Sequence, residues 1–154
     1  TLTNPNMTRF IMTLSEAVQL VMESTFIAVG GDILITKMPT IRIHDLAQVM
    51  INELAPRFGF DPSKIAIKVI GQKPGEKLYE ELMSEEETRR ALELEKFFVV
   101  TPAFKSVYNN IRYEYQGTNR QVKIDRPYHS SLIPPMTIAE LTDYVHTNNL
   151  LAEA

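Results

Sequence analysis

The sequence predicts an α/β fold, or α+β for the chain taken by itself, and three observations support this class. Strand-like and helix-like hydrophobic patterns alternate along the chain, which is typical of mixed folds. The 154 residues suffice for one domain, which at this size buries about 70% of the surface of its unfolded chain. Apolar residues make up 44% and charged residues 23% of the sequence, the balance of a globular protein.

The chain begins with a strand that leads into a capped helix. Residues 8–12 form the predicted strand, and the helix follows because Thr13 and Glu16 have the spacing of a capping box. The glycine pair at 30–31 is expected to end this helix. A short apolar run at 32–36 then predicts a buried strand.

The remaining elements follow from hydrophobic periodicity, capping residues and turn residues. We predict helices at 44–58, 76–83, 84–94 and 137–148, and strands at 65–70, 97–100 and 113–116. Pro56 is expected to end or bend the first of these helices, because proline lacks the N–H that a helix interior needs.

Charge and composition exclude several classes of function. The net charge of −3 gives no electrostatic reason to expect nucleic acid as a partner. The absence of cysteine excludes disulfides and thiolate metal sites. No apolar run approaches the roughly 20 residues that span a bilayer, and no secretory signal is visible, so we expect a cytoplasmic location. Because the chain starts at Thr1 without methionine, we expect a fragment, with a membrane anchor or another domain able to lie upstream.

The sequence lacks the motifs that bind a dinucleotide or perform redox chemistry. Its six glycines stand at 30, 31, 59, 71, 75 and 117, and they form neither G-x-G-x-x-G nor a P-loop. None of the six tyrosines has a lysine four residues later, so the Tyr-x-x-x-Lys pair of a common dehydrogenase class is absent. The histidines are too scattered to predict a metal site. We therefore expect no catalytic residue, bound cofactor or metal in this chain.

The best candidate for a binding site is the loop Gly71-Gln72-Lys73-Pro74-Gly75-Glu76-Lys77. It lies between a predicted strand and a predicted helix, where ligand sites of α/β folds gather. Lys73 and the first N–H groups of the helix would suit a phosphate, and Glu76 would accept hydrogen bonds from ribose hydroxyls. A plain strand-to-helix connection with a Pro-Gly turn explains the same residues, and spacing alone favours it.

A second candidate is Arg9, which begins an otherwise apolar strand just before a capped helix. Its planar guanidinium matches the oxygens of a diphosphate. The alternative is an arginine whose stem packs on the surface while its charged end reaches water.

Three longer segments have the residues and the order of a known family: TNPNMTRFIMTLSEAV at 3–18, ITKMPTIRIHDLA at 35–47 and GQKPGEKLYE at 71–80. They resemble the C-terminal half of CapD-like polysaccharide-biosynthesis proteins, and the segments MSEEE at 83–87, YHSS at 128–131 and LTDY at 141–144 fit as well. Members of this family are extended short-chain dehydrogenases. They act on UDP-N-acetylhexosamines as 4,6-dehydratases, some of which invert C5, or as epimerases.

The resemblance assigns the nucleotide to three residues. Arg9 matches the arginine that contacts the diphosphate. Glu76 matches the acidic residue of the family's Arg-Pro-Gly-Glu-Lys loop, which lies at the nucleotide. Lys73 stands where the family usually has arginine, so this position keeps the charge but loses the bidentate fork.

Four further residues receive substrate-binding roles from the same resemblance. Leu2 and Ile43 fall where family members wall the uracil, although such residues are commonly plain core. Tyr128 and Ser130 are expected near the sugar.

The resemblance also implies a divided enzyme. In the family, NAD(P) oxidises C4 of the sugar, elimination or epimerisation follows beside the new ketone, and the hydride returns. The glycine fingerprint and the Tyr/Lys pair belong to an N-terminal Rossmann half that is absent here. Residues 1–154 are then the substrate-binding C-terminal portion, inactive alone, whose contribution is binding and orientation. The strand at 32–36 would complete the sheet of the Rossmann half, and its free edge predicts self-association into a homo-oligomer.

Two other functions stay open. The chain could be a stand-alone module that binds a nucleotide sugar without catalysis. It could also be an interaction domain whose methionine-containing helices, at Met22 and Met50, pack against a partner.

Overall fold

A computed structural model of the chain describes residues 1–104, 110–115 and 124–152. The chain divides into two compact units. Unit 1 consists of Thr1–Ile11, Pro39–Glu80 and Ser130–Ala154, and unit 2 consists of Met12–Met38 and Glu81–His129. The chain therefore passes between the units several times.

Unit 1 combines a two-stranded sheet with two helices. Strand β1 (Thr8–Phe10) pairs antiparallel with β3 (Thr40–Arg42), so that Arg9 lies opposite Ile41. Helix α2 (Ile43–Leu54) follows β3 directly and continues into a 3-10 turn at Ala55–Phe58. A second 3-10 turn spans Pro62–Lys64, and α4 (Ile138–Thr147) comes near the end of the chain.

The core of unit 1 forms where α2 and α4 pack on β3. Its buried side chains come from all three elements and from the segment after α4: Ile41, Val49, Leu141, Val145 and Leu151. Because the apolar residues of α4 recur at helical spacing, one face of α4 is buried and the other stays in water. This core holds β3, and with it β1, in place.

Unit 2 contains one long helix and a three-stranded antiparallel sheet. Helix α1 (Leu14–Ile27) precedes strand β2 (Ile33–Thr36). Later strands β5 (Ala91–Glu93) and β6 (Phe97–Val100) complete the sheet in the order β2-β6-β5. Strand β4 (Glu81–Met83) pairs with β7 (Tyr128–His129), and a short helix α3 (Glu85–Thr88) lies between β4 and β5.

Helix α1 buries only part of its apolar surface. Leu20 and Ile27 pack against the core of unit 2, which is built on Leu94, Phe97 and Val99 among others. No residue of α1 is fully buried, and Leu14 and Phe26 are 83% and 86% exposed. A helix that leaves large side chains in water has an apolar face without a partner in the described residues.

Most of the elements predicted from periodicity and capping are confirmed. The strands at 8–12, 32–36 and 97–100 appear as β1, β2 and β6, but β2 is not the buried strand that its apolar run predicts, since only Ile35 is buried and Ile33 is 53% exposed. The capping boxes Thr13/Glu16 and Thr137/Glu140 open α1 and α4. Pro56 lies where α2 changes to 3-10 geometry, as its missing N–H predicts.

The predicted helix at 76–83 is wrong. Residues 76–80 are irregular, and Glu81–Met83 form β4 instead. The reason is long-range pairing, since Met83 lies opposite Tyr128, a partner that hydrophobic periodicity within 76–83 does not reveal.

Three other assignments differ in extent. The capping box at Ser84 and Glu87 exists, but its helix ends at Thr88 rather than near 94. The expected strand at 65–70 is reduced to one bridge between Leu2 and Val69. Residues 113–115 are not a strand, and Gln116 lies outside the described residues. None of the helices in the described residues is both long and apolar enough to cross a membrane.

Candidate functional site

The loop at 71–77 is a tight turn that is stabilised by hydrogen bonds between its own residues. The backbone N–H of Glu76 donates to the Lys73 carbonyl at 3.1 Å. The Glu76 carboxylate in return accepts the backbone N–H of Lys73 at 3.1 Å. Gly71 and Gly75 have φ of +90° and +80°, a left-handed conformation that favours glycine. The loop is therefore a formed structure in unit 1.

No helix follows this loop, which corrects the expected phosphate site. The sequence-based hypothesis combined Lys73 with the N–H groups of a helix that begins at Glu76. Since residues 76–80 are irregular, that helix N-terminus does not exist. The first N–H groups of a helix are therefore not available to an anion at this loop.

Glu76 is the most connected side chain of the loop. Besides Lys73, its carboxylate accepts a hydrogen bond from the Thr3 hydroxyl at 2.7 Å. The Thr3 hydroxyl, then the Lys73 N–H, and then the positive charges of Lys73 and Arg9 hold the pKa of Glu76 below its usual range. Glu76 is thus an oriented anion with two cations near it.

The N-terminal segment reaches the loop through backbone pairing. Leu2 donates its N–H to the Lys68 carbonyl at 2.9 Å and accepts the N–H of Ile70 at 2.8 Å. This parallel bridge buries Leu2, which is 5% exposed, and it places Thr3 beside the start of the loop.

Arg9 connects β1 to the segment that leaves the loop. Its guanidinium donates to the Thr8 and Lys77 carbonyls, each at 2.7 Å, and its Nε lies 3.4 Å from a carboxylate oxygen of Glu80. A guanidinium has more N–H donors than these three contacts use. With its side chain 24% exposed, Arg9 both fixes the 77–80 segment and keeps donors available.

Lys73 is exposed at the tip of the turn. Its ammonium group makes no hydrogen bond or ion pair to another residue in the described parts of the chain. Lys73 is therefore a cation that is available to a ligand.

The other predicted residues lie at different places. Ile43 is the first residue of α2 and packs partly against the core of unit 1. Ser130 is completely buried in unit 1; its hydroxyl contacts the Thr8 hydroxyl at 2.9 Å and accepts the Glu80 N–H at 3.0 Å.

Tyr128 lies in unit 2 and is 6% exposed. Its hydroxyl accepts the Met38 N–H at 2.7 Å and donates to the Met38 carbonyl at 3.1 Å. Burial raises the pKa of Tyr128, so the hydroxyl stays neutral near pH 7. These contacts give Tyr128 a structural role in unit 2.

Sequence reasoning missed two residues of this region, Thr3 and Glu80. Thr3 is the first residue of the segment at 3–18, and its hydrogen bond to Glu76 spans 73 positions. Glu80 stands in the predicted helix, so its ion pair with Arg9 had no visible signal. Local patterns do not reveal such distant pairs.

The region around the loop contains charged side chains of both signs. Arg9 and Lys73 are two cations near a turn, and Glu76 supplies acceptor oxygens beside them. Among the described residues no cluster of acidic or histidine side chains has the arrangement to hold a metal ion. Cations and an oriented carboxylate are the kinds of group that can bind an anion and hydroxyl groups.

Comparisons with known proteins identify relatives of this chain. The sequence profile of a family described as polysaccharide biosynthesis protein matches residues 1–102. An uncharacterized membrane protein of Methanocaldococcus jannaschii is 58% identical over 102 residues, which is 66% of this chain and 31% of that protein. A UDP-N-acetylglucosamine 4,6-dehydratase (inverting) of Campylobacter jejuni is 33% identical over 106 residues, or 69% of this chain and 28% of the enzyme.

Two further matches cover nearly the whole chain. A UDP-glucose 4-epimerase of Rickettsia typhi is 32% identical over 153 residues, which is 99% of this chain and 42% of the enzyme. The X-ray structure of Pen from Bacillus thuringiensis matches with a TM-score of 0.79 and 35% identity, over 97% of this chain and 41% of that one. The chain therefore spans less than half the length of these relatives.

Proposed function

Because the chain belongs to the polysaccharide biosynthesis protein family, we propose that it binds and orients a UDP-N-acetylhexosamine for NAD(P)-dependent 4,6-dehydration or epimerisation. The observation that carries this proposal is that the Arg9 guanidinium donates to the carbonyl of Lys77, the residue next to Glu76 in the turn that also contains Lys73. Two relatives bear the names of enzymes that act on UDP-sugars. The product would serve the synthesis of a surface polysaccharide such as a capsule.

Arg9, Lys73 and Glu76 bind different parts of the nucleotide. Lys73 and the remaining donors of Arg9 bind the diphosphate, since both are cations near the loop. Glu76 binds the ribose, because a carboxylate accepts the hydrogen bonds that ribose hydroxyls donate. A point charge at Lys73 in place of the family's usual arginine makes this contact less directional.

The four residues expected at the uracil and the sugar have little exposed surface or use their polar groups within the protein. Leu2 is buried beside Val69 and Ile43 is partly buried, so each offers only an edge of its side chain to the base. The Ser130 hydroxyl is used within unit 1 and the Tyr128 hydroxyl within unit 2, so we assign Ser130 support of the loop region and Tyr128 a structural role in unit 2, and neither of them contact with the sugar.

The described residues do not fit NAD(P). Dinucleotide binding needs glycines between a strand and a helix that begins at the pyrophosphate. Gly30 and Gly31 follow helix α1, and the loop with Gly71 and Gly75 leads to no helix. We propose that NAD(P) is bound by a portion of the protein outside the described residues.

We propose that this portion is a Rossmann domain that covers the apolar face of α1 and the edge of β2. Leu14 and Phe26 are almost fully exposed on α1. Strand β2 is the outer strand in the order β2-β6-β5, with Ile33 53% exposed. The relatives, which are more than twice as long as the matched part, have room for such a domain. A location on the cytoplasmic side follows from the supply of UDP-sugars and NAD(P) there.

Calorimetric titration with UDP tests the site. Charged hydrogen bonds are worth about 1.5–3 kcal/mol, so Arg9→Ala should weaken UDP binding roughly tenfold to a hundredfold. Lys73→Arg should hold or improve affinity because it restores a planar fork. Glu76→Gln should cost less than Arg9→Ala, since an amide still accepts a hydrogen bond.

Lys64→Ala is the matched control, since Lys64 is an exposed lysine of unit 1 with its side chain 83% exposed. It should bind UDP as the unchanged chain does. Equal affinities for Arg9→Ala and Lys64→Ala would contradict the assignment of the diphosphate.

A further inference from the structure

Thr3 makes a contact that the proposed function does not use. Its hydroxyl donates to Glu76 at 2.7 Å, from a segment held beside the loop by the bridge between Leu2 and Val69. The second carboxylate oxygen of Glu76 accepts the Lys73 N–H at 3.1 Å. Each oxygen of Glu76 thus has one partner within the protein.

These two contacts leave acceptor capacity on Glu76. An ionised carboxylate has about four lone-pair sites, and two of them are used by Thr3 and Lys73. Since one bond falls on each oxygen, the plane of the carboxylate is fixed while one site on each oxygen stays available. That pattern suits a vicinal pair of hydroxyl groups, which donates two hydrogen bonds side by side.

We propose that Thr3 is a positioning residue, which holds the Glu76 carboxylate in the orientation that accepts both ribose hydroxyls and so makes the site selective for ribose over deoxyribose. This inference rests on the proposed UDP site and adds the element that sets its sugar selectivity. Thr3 acts through Glu76 and needs no contact with the ligand.

The contacts that orient Glu76 also affect its pKa. Thr3 is the largest cause of the lowered pKa of Glu76, ahead of the Lys73 N–H, and the charges of Lys73 and Arg9 contribute further. Removal of the Thr3 hydroxyl raises the pKa of Glu76. Ligand binding that needs the carboxylate is then lost at a higher pH as the solution is acidified.

The test compares UDP with 2′-deoxy-UDP by calorimetric titration of the chain and its variants. Thr3→Val removes the hydroxyl at nearly constant volume, and Thr3→Ser keeps it. In Thr3→Val the preference for UDP over 2′-deoxy-UDP should fall by about threefold to tenfold, because one oriented hydrogen bond is lost. Thr3→Ser should keep the preference.

Two further measurements separate positioning from a loss of folding. The pH at which UDP affinity falls on acidification should be higher in Thr3→Val than in Thr3→Ser. We call this fall in affinity the acid limb of UDP binding. In a Glu76→Gln background, Thr3→Val should leave the preference unchanged, since there is no carboxylate to position.

The outcomes separate this inference from the proposed function. If the unchanged chain fails to bind UDP, both fail. If it binds UDP but Thr3→Val weakens UDP and 2′-deoxy-UDP equally, or leaves the preference and the acid limb unchanged, the proposed function stands and the role of Thr3 is wrong.

Discussion

Ser130 and Thr8 show how single buried hydroxyl groups support the loop region of unit 1. The Ser130 hydroxyl contacts the Thr8 hydroxyl at 2.9 Å, the Thr8 carbonyl at 3.2 Å and the Glu80 N–H at 3.0 Å. Thr8 in turn donates its N–H to the Leu78 carbonyl at 2.9 Å. The segment that leaves the loop is therefore joined to β1 through the buried hydroxyl groups of Ser130 and Thr8.

Ser130→Ala should lower the free energy of unfolding by about 1–3 kcal/mol, because buried polar partners of Ser130 lose a hydrogen bond. Ser15→Ala is the control, since Ser15 is exposed and such changes usually stay within about 0.5 kcal/mol. Urea unfolding of the two variants measures the difference. Equal unfolding midpoints would show that this network adds nothing to stability.

At the scale of single residues, the sequence suggests which charged residues are candidates for binding, but it does not predict the residues that contact them. Arg9, Lys73 and Glu76 stand out because cations and a carboxylate beside a Pro-Gly turn have recognisable chemistry. The partners of Glu76 and Ser130, which are Thr3 and Thr8, are 73 and 122 positions away from them. Such contacts depend on tertiary structure, which residue type and spacing do not encode locally.

At the scale of elements, capping boxes are the most reliable signals. The pairs at Thr13, Ser84 and Thr137 each open a helix, since reciprocal hydrogen bonds at the first turn are local. The helix predicted at 76–83 is wrong because long-range contacts, and not local ones, determine its structure. Its residues have acceptable helical spacing, but pairing of β4 with β7 decides their conformation.

The exposed apolar face of helix α1 leads to a prediction about self-association. In the isolated chain its exposed apolar face should drive self-association, because no described residue covers it. The double substitution Leu14→Ser with Phe26→Ser should reduce self-association in sedimentation velocity runs without lowering the melting temperature. Both side chains are more than four-fifths exposed, at 83% and 86%, so little packing is lost.

Leu20→Ser on the same helix is the matched control. Leu20 packs against the core of unit 2, so this change should cost roughly 1–3 kcal/mol of stability. A chain that stays monomeric at high concentration before any substitution would contradict the role given to the α1 face.

For the whole molecule, family and fold class are the parts that the sequence predicts fully. The α+β class is confirmed by the structure and by the match to Pen at a TM-score of 0.79. The resemblance to CapD-like proteins is confirmed by the family match over residues 1–102. Both succeed because they rest on many residues at once, whereas the proposed binding site rests on a few distant contacts.

The most direct measurement of the central claim is a titration of the isotopically labelled chain with UDP, followed by amide NMR spectra. The account predicts that chemical-shift changes concentrate in the loop at 71–77, at Thr3 and at Arg9, and that they disappear in Arg9→Ala. Unit 2 should show little change, since all of these residues belong to unit 1. Spectra unaffected by millimolar UDP, or changes confined to unit 2, would contradict a nucleotide site at this loop.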